Sequence, residues 1–283
     1  MKNTVIVVTG ATGGIGRRVC GLLMREGASI VAAGRDPEAL SLLSDELNDR
    51  EARNLYLASD LRTYQGWSGI AEPAIRKYGR IDVLVHCAGV LAPGAFDSLT
   101  PDQVELVVET NFLGVLYGTL RILPLMKARR KGHLIVVGSL GGIVPMPFES
   151  LYCATKFAVR GFFLSLREEL RRSGIDVSLI SPGPVDTMML RTEARSDEST
   201  MAFVESPLTA ERVAGSIVQV IRNKQAETLL PARTKIPALL MGAFPALFTA
   251  LYPLLNLIGA FRLKIYRDRG AQMTPSTTGA FYE

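Results

Sequence analysis

Residues 4–16 read TVIVVTGATGGIG. Residues 4–9 are mostly apolar and β-branched, the composition of a central parallel strand buried on both faces. Beyond the turn, Ile15, Val19, Leu22 and Leu23 recur at helical spacing until Gly27 stops the pattern. The order is therefore strand, glycine-rich turn, helix. Such a turn lets the main chain approach a pyrophosphate, and the helix N-terminus offers free N–H groups and partial positive charge to bind it. A glycine-rich turn says little alone. Between this strand and this helix it points to dinucleotide binding through Thr9, Gly10, Thr12, Gly14, Ile15 and Gly16.

Strand and helix patterns go on alternating downstream, which predicts a doubly wound parallel sheet in a single α/β domain. A strand over 29–33 ends in Gly34-Arg35-Asp36. A carboxylate at this place would bind ribose hydroxyls, whereas the Arg35 guanidinium suits a 2′-phosphate, so NADP(H) is favoured over NAD(H), with Asp36 one residue beyond. A helix over 37–50 carries Leu40, Leu43 and Leu47, and a short strand over 54–58 leads to Asp60-Leu61, where the carboxylate can accept from an adenine amino group. A further helix to Tyr78 precedes a strand over 81–86, in whose apolar run His86 reads as a core residue. From Pro101 a long helix places Val104, Val107, Val108, Phe112 and Val115 on one stripe, together with Asn111, a polar group that needs partners if buried.

Residues 139–156, SLGGIVPMPFESLYCATK, hold the chemistry. On one helix, Tyr152 and Lys156 share a face one turn apart. A lysine ammonium there would stabilise a phenolate and lower the tyrosine pKa from about 10, bringing Tyr152 into range as a proton donor or acceptor. Ser139 follows the strand over 133–138, at the mouth of an open sheet, where its hydroxyl can bond a substrate oxygen. After a strand over 176–180, the turn SPGPVDT at 181–187 can hold a nicotinamide carboxamide through Pro182 and Gly183, with Thr187 as a second contact. The polar segment 188–206 reads as a mobile loop over the site.

The chain has 283 residues, 48% hydrophobic and 21% charged, with a formal net charge of +5. That is ample for one large core and shows no disordered block. Three cysteines and two histidines lack metal-ligand spacing, so reduced thiols in a cytoplasmic setting and no metal are expected. Lysine and arginine are scattered without an aromatic-basic stripe, which argues against nucleic acid. The first strand begins by about residue 4, leaving no room for a secretory signal. Residues 236–261 contain no charged side chain, and as one straight helix they would reach roughly 39 Å, beyond the roughly 30 Å core of a bilayer. Pro237, Pro245 and Pro253 are expected to cut that stretch into short pieces, and basic residues flank it: Arg233, Lys235, Arg262, Lys264, Arg267 and Arg269. A lid, an oligomer contact and a membrane-associated helix all stay open for 233–283, and the tail beyond Gly270 is expected to fray.

These motifs resemble the short-chain dehydrogenase/reductase family over roughly residues 3–230. Its Thr-Gly-x-x-x-Gly-x-Gly turn matches Thr9, Gly10, Gly14, Ile15 and Gly16, and its Tyr-x-x-x-Lys motif matches Tyr152 and Lys156. The resemblance implies a Rossmann-type fold, with residues 1–232 binding NADP(H) and carrying catalysis; residues 233–283 lie beyond it and read as an apolar helical extension. It implies that Ser139 orients a substrate carbonyl, Tyr152 donates or accepts the proton, Lys156 binds the nicotinamide ribose and tunes Tyr152, and Asn111 completes a proton relay. Leu61, Ala88, Gly89 and Val185 fall on further cofactor-contact positions. The family's Asn-Ala-Gly is here Cys87-Ala88-Gly89, and a cysteine cannot make the amide's bonds, so weaker bracing is expected there. The implied activity is hydride transfer between nicotinamide and a secondary alcohol or ketone in a lipophilic molecule of steroid, retinoid or keto-lipid type, in a homodimer or homotetramer. A nucleotide-sensing binding protein without turnover is the alternative, and membrane association through the tail remains open.

Overall fold

β1 (Val5–Thr9) is buried along its whole length and pairs in parallel with β2 (Ser29–Gly34) on one side and β4 (Val83–His86) on the other. The computed structural model describes residues 1–49 and 53–273. With β3 (Leu55–Ala58), β5 (Gly132–Val137), β6 (Ile175–Pro182) and β7 (Glu227–Leu230), these strands form one parallel sheet ordered β3-β2-β1-β4-β5-β6-β7. Strand order reverses between β1 and β4, which opens a crevice at their carboxyl ends. Successive residues of β1 face opposite cores, as a strand's two-residue period requires. Ile6 and Val8 pack with α1 (Gly14–Arg25), α2 (Pro37–Glu46) and α8 (Ala210–Asn223), and Val5 and Val7 with α3 (Tyr64–Tyr78), α5 (Gly114–Arg129) and α6 (Ser150–Glu169).

The helix expected over 37–50 stops at Glu46, with Asn48 in the left-handed region; residues 50–52 lie outside the described residues. The helix expected from Pro101 divides into α4 (Pro101–Val108), a π-helical turn Glu109–Leu113, and α5. Thr100 and Gln103 form a reciprocal capping box ahead of α4.

Two expectations for the C-terminal third are corrected. Segment 188–206 is folded rather than a loose loop: α7 (Met188–Glu193) and a 3₁₀ turn, Thr200–Phe203, bury Leu190, Ala202 and Phe203 against Leu263. The prolines also cut the tail once rather than into short pieces: α9 (Lys235–Ala243) is capped at Phe244, just before Pro245, and α10 (Pro245–Met273) runs on through Pro253. Pro237 and Pro245 fall in first turns, where no intrahelical N–H bond is lost. Only Pro253 is interior, and docking of α10 onto the body outweighs its missing bond. At Gly259 a Cβ would lie 2.2 Å from the Thr200 carbonyl oxygen, so only glycine allows this approach. Thr200 Oγ1 donates to Asn256 Oδ1 at 2.5 Å, and Tyr266 Oη donates to Asp186 at 3.0 Å. The helix continues past Gly270 to Met273, and residues 274–283 lie outside the described residues.

Candidate active site

Ser139, at the exit of β5, accepts a bond from the Gly141 N–H at 3.0 Å, and its hydroxyl bonds the Tyr152 phenol at the cavity wall. Tyr152 and Lys156 emerge one turn apart from α6 and are 8% and 5% exposed. The Lys156 ammonium donates to the Val137 carbonyl at 3.1 Å and stands 5.5 Å from the Tyr152 ring centre. Burial dominates both groups. It pushes the Tyr152 phenol above its usual value, against the hydrogen bond from Ser139, and the charges of Glu193 and Glu149 push the same way. It lowers Lys156 to about 8. The expected drop in the phenol pKa from its lysine neighbour is therefore not seen, because the two groups share a dry site and Nζ is turned to a main-chain carbonyl.

Asn111 lies in the π-helical turn, which steers it inward from the end of α4. Its Oδ1 accepts from the Val90 N–H at 2.8 Å, while Nδ2 donates to the Val90 carbonyl at 2.8 Å and to Thr155 Oγ1 at 3.2 Å. Asn111 thus ties the chain after β4 to α6, the helix that bears Tyr152. A Cβ built on Gly89 would lie 3.5 Å from Asn111 Oδ1 and 3.6 Å from Lys156 Nζ, so the three positions converge. The main chain at Cys87 is braced from β1: buried Thr9 accepts from the N–H groups of Cys87 and Ala88 at 3.2 and 3.3 Å. His86 is a core residue, flanked by the rings of Trp67 and Phe163 and lowered by burial to about 3.

The glycine-rich turn fits a dinucleotide. Gly10 has a φ of 59°, and a Cβ on Gly16 would lie 2.1 Å from the Gly10 carbonyl oxygen, so the main chain folds back as tightly as a pyrophosphate cradle needs. Thr12 stands beside Gly34 at the end of β2, next to exposed Arg35. Asp36 Oδ1 accepts from the N–H groups of Glu38 and Ala39 as the cap of α2, which engages one of its two carboxylate oxygens. Asp60 is held by the Arg62 guanidinium at 2.8 and 2.9 Å, which keeps its carboxyl below the usual range, and buried Leu61 gives its carbonyl to the Trp67 indole. Across the crevice, the Gly183 N–H donates to Leu230 at 2.7 Å, Thr187 Oγ1 donates to the Val185 carbonyl at 3.2 Å, and the Thr187 methyl packs on Gly14. Among the described residues no group of three or more histidine, cysteine or acidic side chains could hold a metal.

One cavity of about 410 Å³ gathers part of this set: it is lined by Ser139, Tyr152, Lys156, Pro182, Gly183 and Thr187 on its polar side and roofed by Pro237, Ala238, Met241 and Leu255 of α9 and α10, while Arg35, Asp60, Leu61 and Asn111 lie outside its lining. Two further lining residues, Glu149 and Glu193, escape a reading of the sequence. Glu149 stands only three positions before Tyr152, yet nothing local marks it as buried.

Comparison with known proteins agrees with this geometry. The model of the short chain dehydrogenase family matches residues 4–198. Dehydrogenase/reductase SDR family member 7B of Bos taurus is 33% identical over 240 residues, 81% of this chain and 74% of that protein. The uncharacterized oxidoreductase YxnA of Bacillus subtilis is 33% identical over 252 residues, 87% of this chain and 70% of that protein. A crystal structure of an actinorhodin polyketide ketoreductase variant with NADPH superposes with a TM-score of 0.74 at 27% identity, covering 80% of this chain and 95% of that one.

Proposed function

The chain belongs to the short-chain dehydrogenase/reductase family of NAD(P)-dependent oxidoreductases, and from that premise we propose that it interconverts a ketone and a secondary alcohol in a lipophilic substrate, with NADP(H) as cofactor. The observation that carries this reading is the convergence of Ser139, Tyr152 and Lys156 on one cavity whose remaining walls are largely apolar. Bound nicotinamide supplies or accepts the hydride. Ser139 donates a hydrogen bond to the carbonyl oxygen, Tyr152 gives that oxygen its proton in reduction, and Lys156 holds positive charge beside the phenol as its proton leaves. Asn111 fixes the chain between β4 and α6. Arg35, exposed at the end of β2, supports the 2′-phosphate and hence NADP(H) over NAD(H).

Residues 1–232 form the cofactor and catalytic part in this reading, and within the extension 233–283 it is α9 and α10 that close the cavity and meet a membrane surface. Leu247, Leu251, Leu254, Leu257 and Phe261 run along one exposed side of α10, and Lys264 extends that side. Exposed Leu120 on α5 and Phe157 on α6 support a homo-oligomer packed through those helices. The protein then works at the cytoplasmic face of a membrane. The test is turnover of steroid, retinoid and long-chain ketones with NADPH and NADH. Tyr152→Phe should remove more than about 100-fold of kcat while NADPH still binds, and Arg35→Ser should narrow the preference for NADPH; a Tyr152→Phe enzyme of near-normal rate overturns the assignment.

A further inference from the structure

Glu149 and Glu193 are two side chains of the cavity to which the chemistry above gives no task. Glu149 is 1% exposed at the start of α6, and both of its carboxyl oxygens are buried with no hydrogen-bond partner among the described residues. Glu193, 7% exposed, ends α7 and lines the same cavity as Glu149, Ser139, Tyr152 and Lys156. Buried polar atoms in folded proteins are nearly always bonded, so a carboxyl turned into a cavity with neither oxygen used is arranged for something that enters. Glu149 holds the N-cap position of α6, three residues before Tyr152, and lines the same cavity, so the entering group stands close to the reacting carbon.

The chemistry of that group follows from the state of the pair. Burial raises Glu149 to about 8, and burial together with the Glu149 charge raises Glu193 well above the usual carboxyl range. Burial thus favours the neutral form at this pair, and a neutral carboxyl donates one hydrogen bond and accepts others, the same complement as an alcohol. An unsubstituted hydrocarbon chain would leave these atoms unpaired, and an ammonium would require one carboxyl to ionise in a dry site. The rest of the wall, including Val144, Met146, Leu190, Met201 and Leu255, suits an apolar chain. Resting on the oxidoreductase reading above, we propose that Glu149 and Glu193 bind a hydroxyl next to the reacting carbonyl, so that the substrate class is a hydroxylated, long-chain carbonyl compound.

The test compares a long-chain methyl ketone with its α-hydroxy and α-amino derivatives, on the full chain and on Glu149→Gln and Glu149→Leu. Both kcat/KM and the rise in thermal midpoint on binding are read. The wild type should prefer the α-hydroxy ketone by about 100-fold or more in kcat/KM. Glu149→Gln, which keeps a neutral donor and acceptor in the same shape, should stay within about 10-fold of that preference, and Glu149→Leu should lose it. Equal use of hydroxy and simple ketone by the wild type, or a preference that survives Glu149→Leu, overturns the proposal. Preference for the amine that disappears in Glu149→Gln also overturns it and assigns the pair to a cation. If none of the ketones turns over, the reductase reading fails on its own and binding decides the pair. Stabilisation of wild type and Glu149→Gln but not Glu149→Leu by the α-hydroxy ketone upholds the proposal, and equal stabilisation of all three overturns it. Should Glu149→Leu not fold, Glu193→Leu takes its place.

Discussion

Thr9 holds two main-chain N–H groups on one hydroxyl, at the seam where β1 meets the chain leaving β4. Thr9→Val keeps the shape and leaves both donors bare, so it should cost about 1–3 kcal/mol, seen as a thermal midpoint lower by several degrees, and should weaken dinucleotide binding at the adjoining turn. Glu149 makes the second prediction at this scale. Its folded pKa, about 8, lies above the ordinary 4.5, so the folded state holds the extra proton between those values. The stability this group contributes is full below about pH 4.5 and is lost as pH rises toward 8. Urea titrations should find Glu149→Gln level with wild type near the lower limit and more stable by an amount on the order of a few kcal/mol near the upper one. Tyr152 and Lys156 were legible in the sequence because one helical turn relates them. Glu149 was not, because the walls that bury it come from α7 and from residues far along the chain.

Between elements, the contact most open to a single change is that of α10 with the turn Thr200–Phe203. A methyl group at Gly259 must displace the Thr200 carbonyl. Gly259→Ala should therefore cost about 1–3 kcal/mol, and hydrogen exchange should quicken in α10 and in residues 186–204 while β1, β4, β5 and β6 keep their protection. The strands and the first helix were readable because periodicity and glycine placement are local signals. Segment 188–206 was misread because its polar surface residues outnumber the few apolar ones, Leu190, Ala202 and Phe203, that another element buries. Pro253 was misread for a related reason: the rule that proline breaks a helix compares helix with coil, whereas here the alternative to helix is loss of the whole docked face.

The molecule as a whole is a sheet covered on both faces, with α9 and α10 added across the carboxyl ends of its strands. Among the described residues, two helical stretches, Pro101–Arg129 and Pro245–Arg269, are long and apolar enough to cross a bilayer, but the first is 39% buried in its most apolar window and the second only 11%. That difference directs the membrane reading to α10. Replacing Leu254, Leu257 and Phe261 together by glutamate should abolish flotation with vesicles containing anionic lipid and leave the circular dichroism spectrum unchanged. A variant that still floats removes this stripe as the contact, and one that changes its oligomeric state assigns the stripe to subunit packing.

The roof over the cavity has a consequence for how the protein is made. Every strand, the glycine-rich turn, Ser139, Tyr152 and Lys156 precede α9 and α10 in chain order, so a nascent chain can assemble the nucleotide cradle before the substrate chamber has its cover. A chain arrested ahead of Lys235 is expected to carry the cradle and the reacting side chains with the chamber left open to water, so the last helices bear on capture of the substrate rather than on the nucleotide.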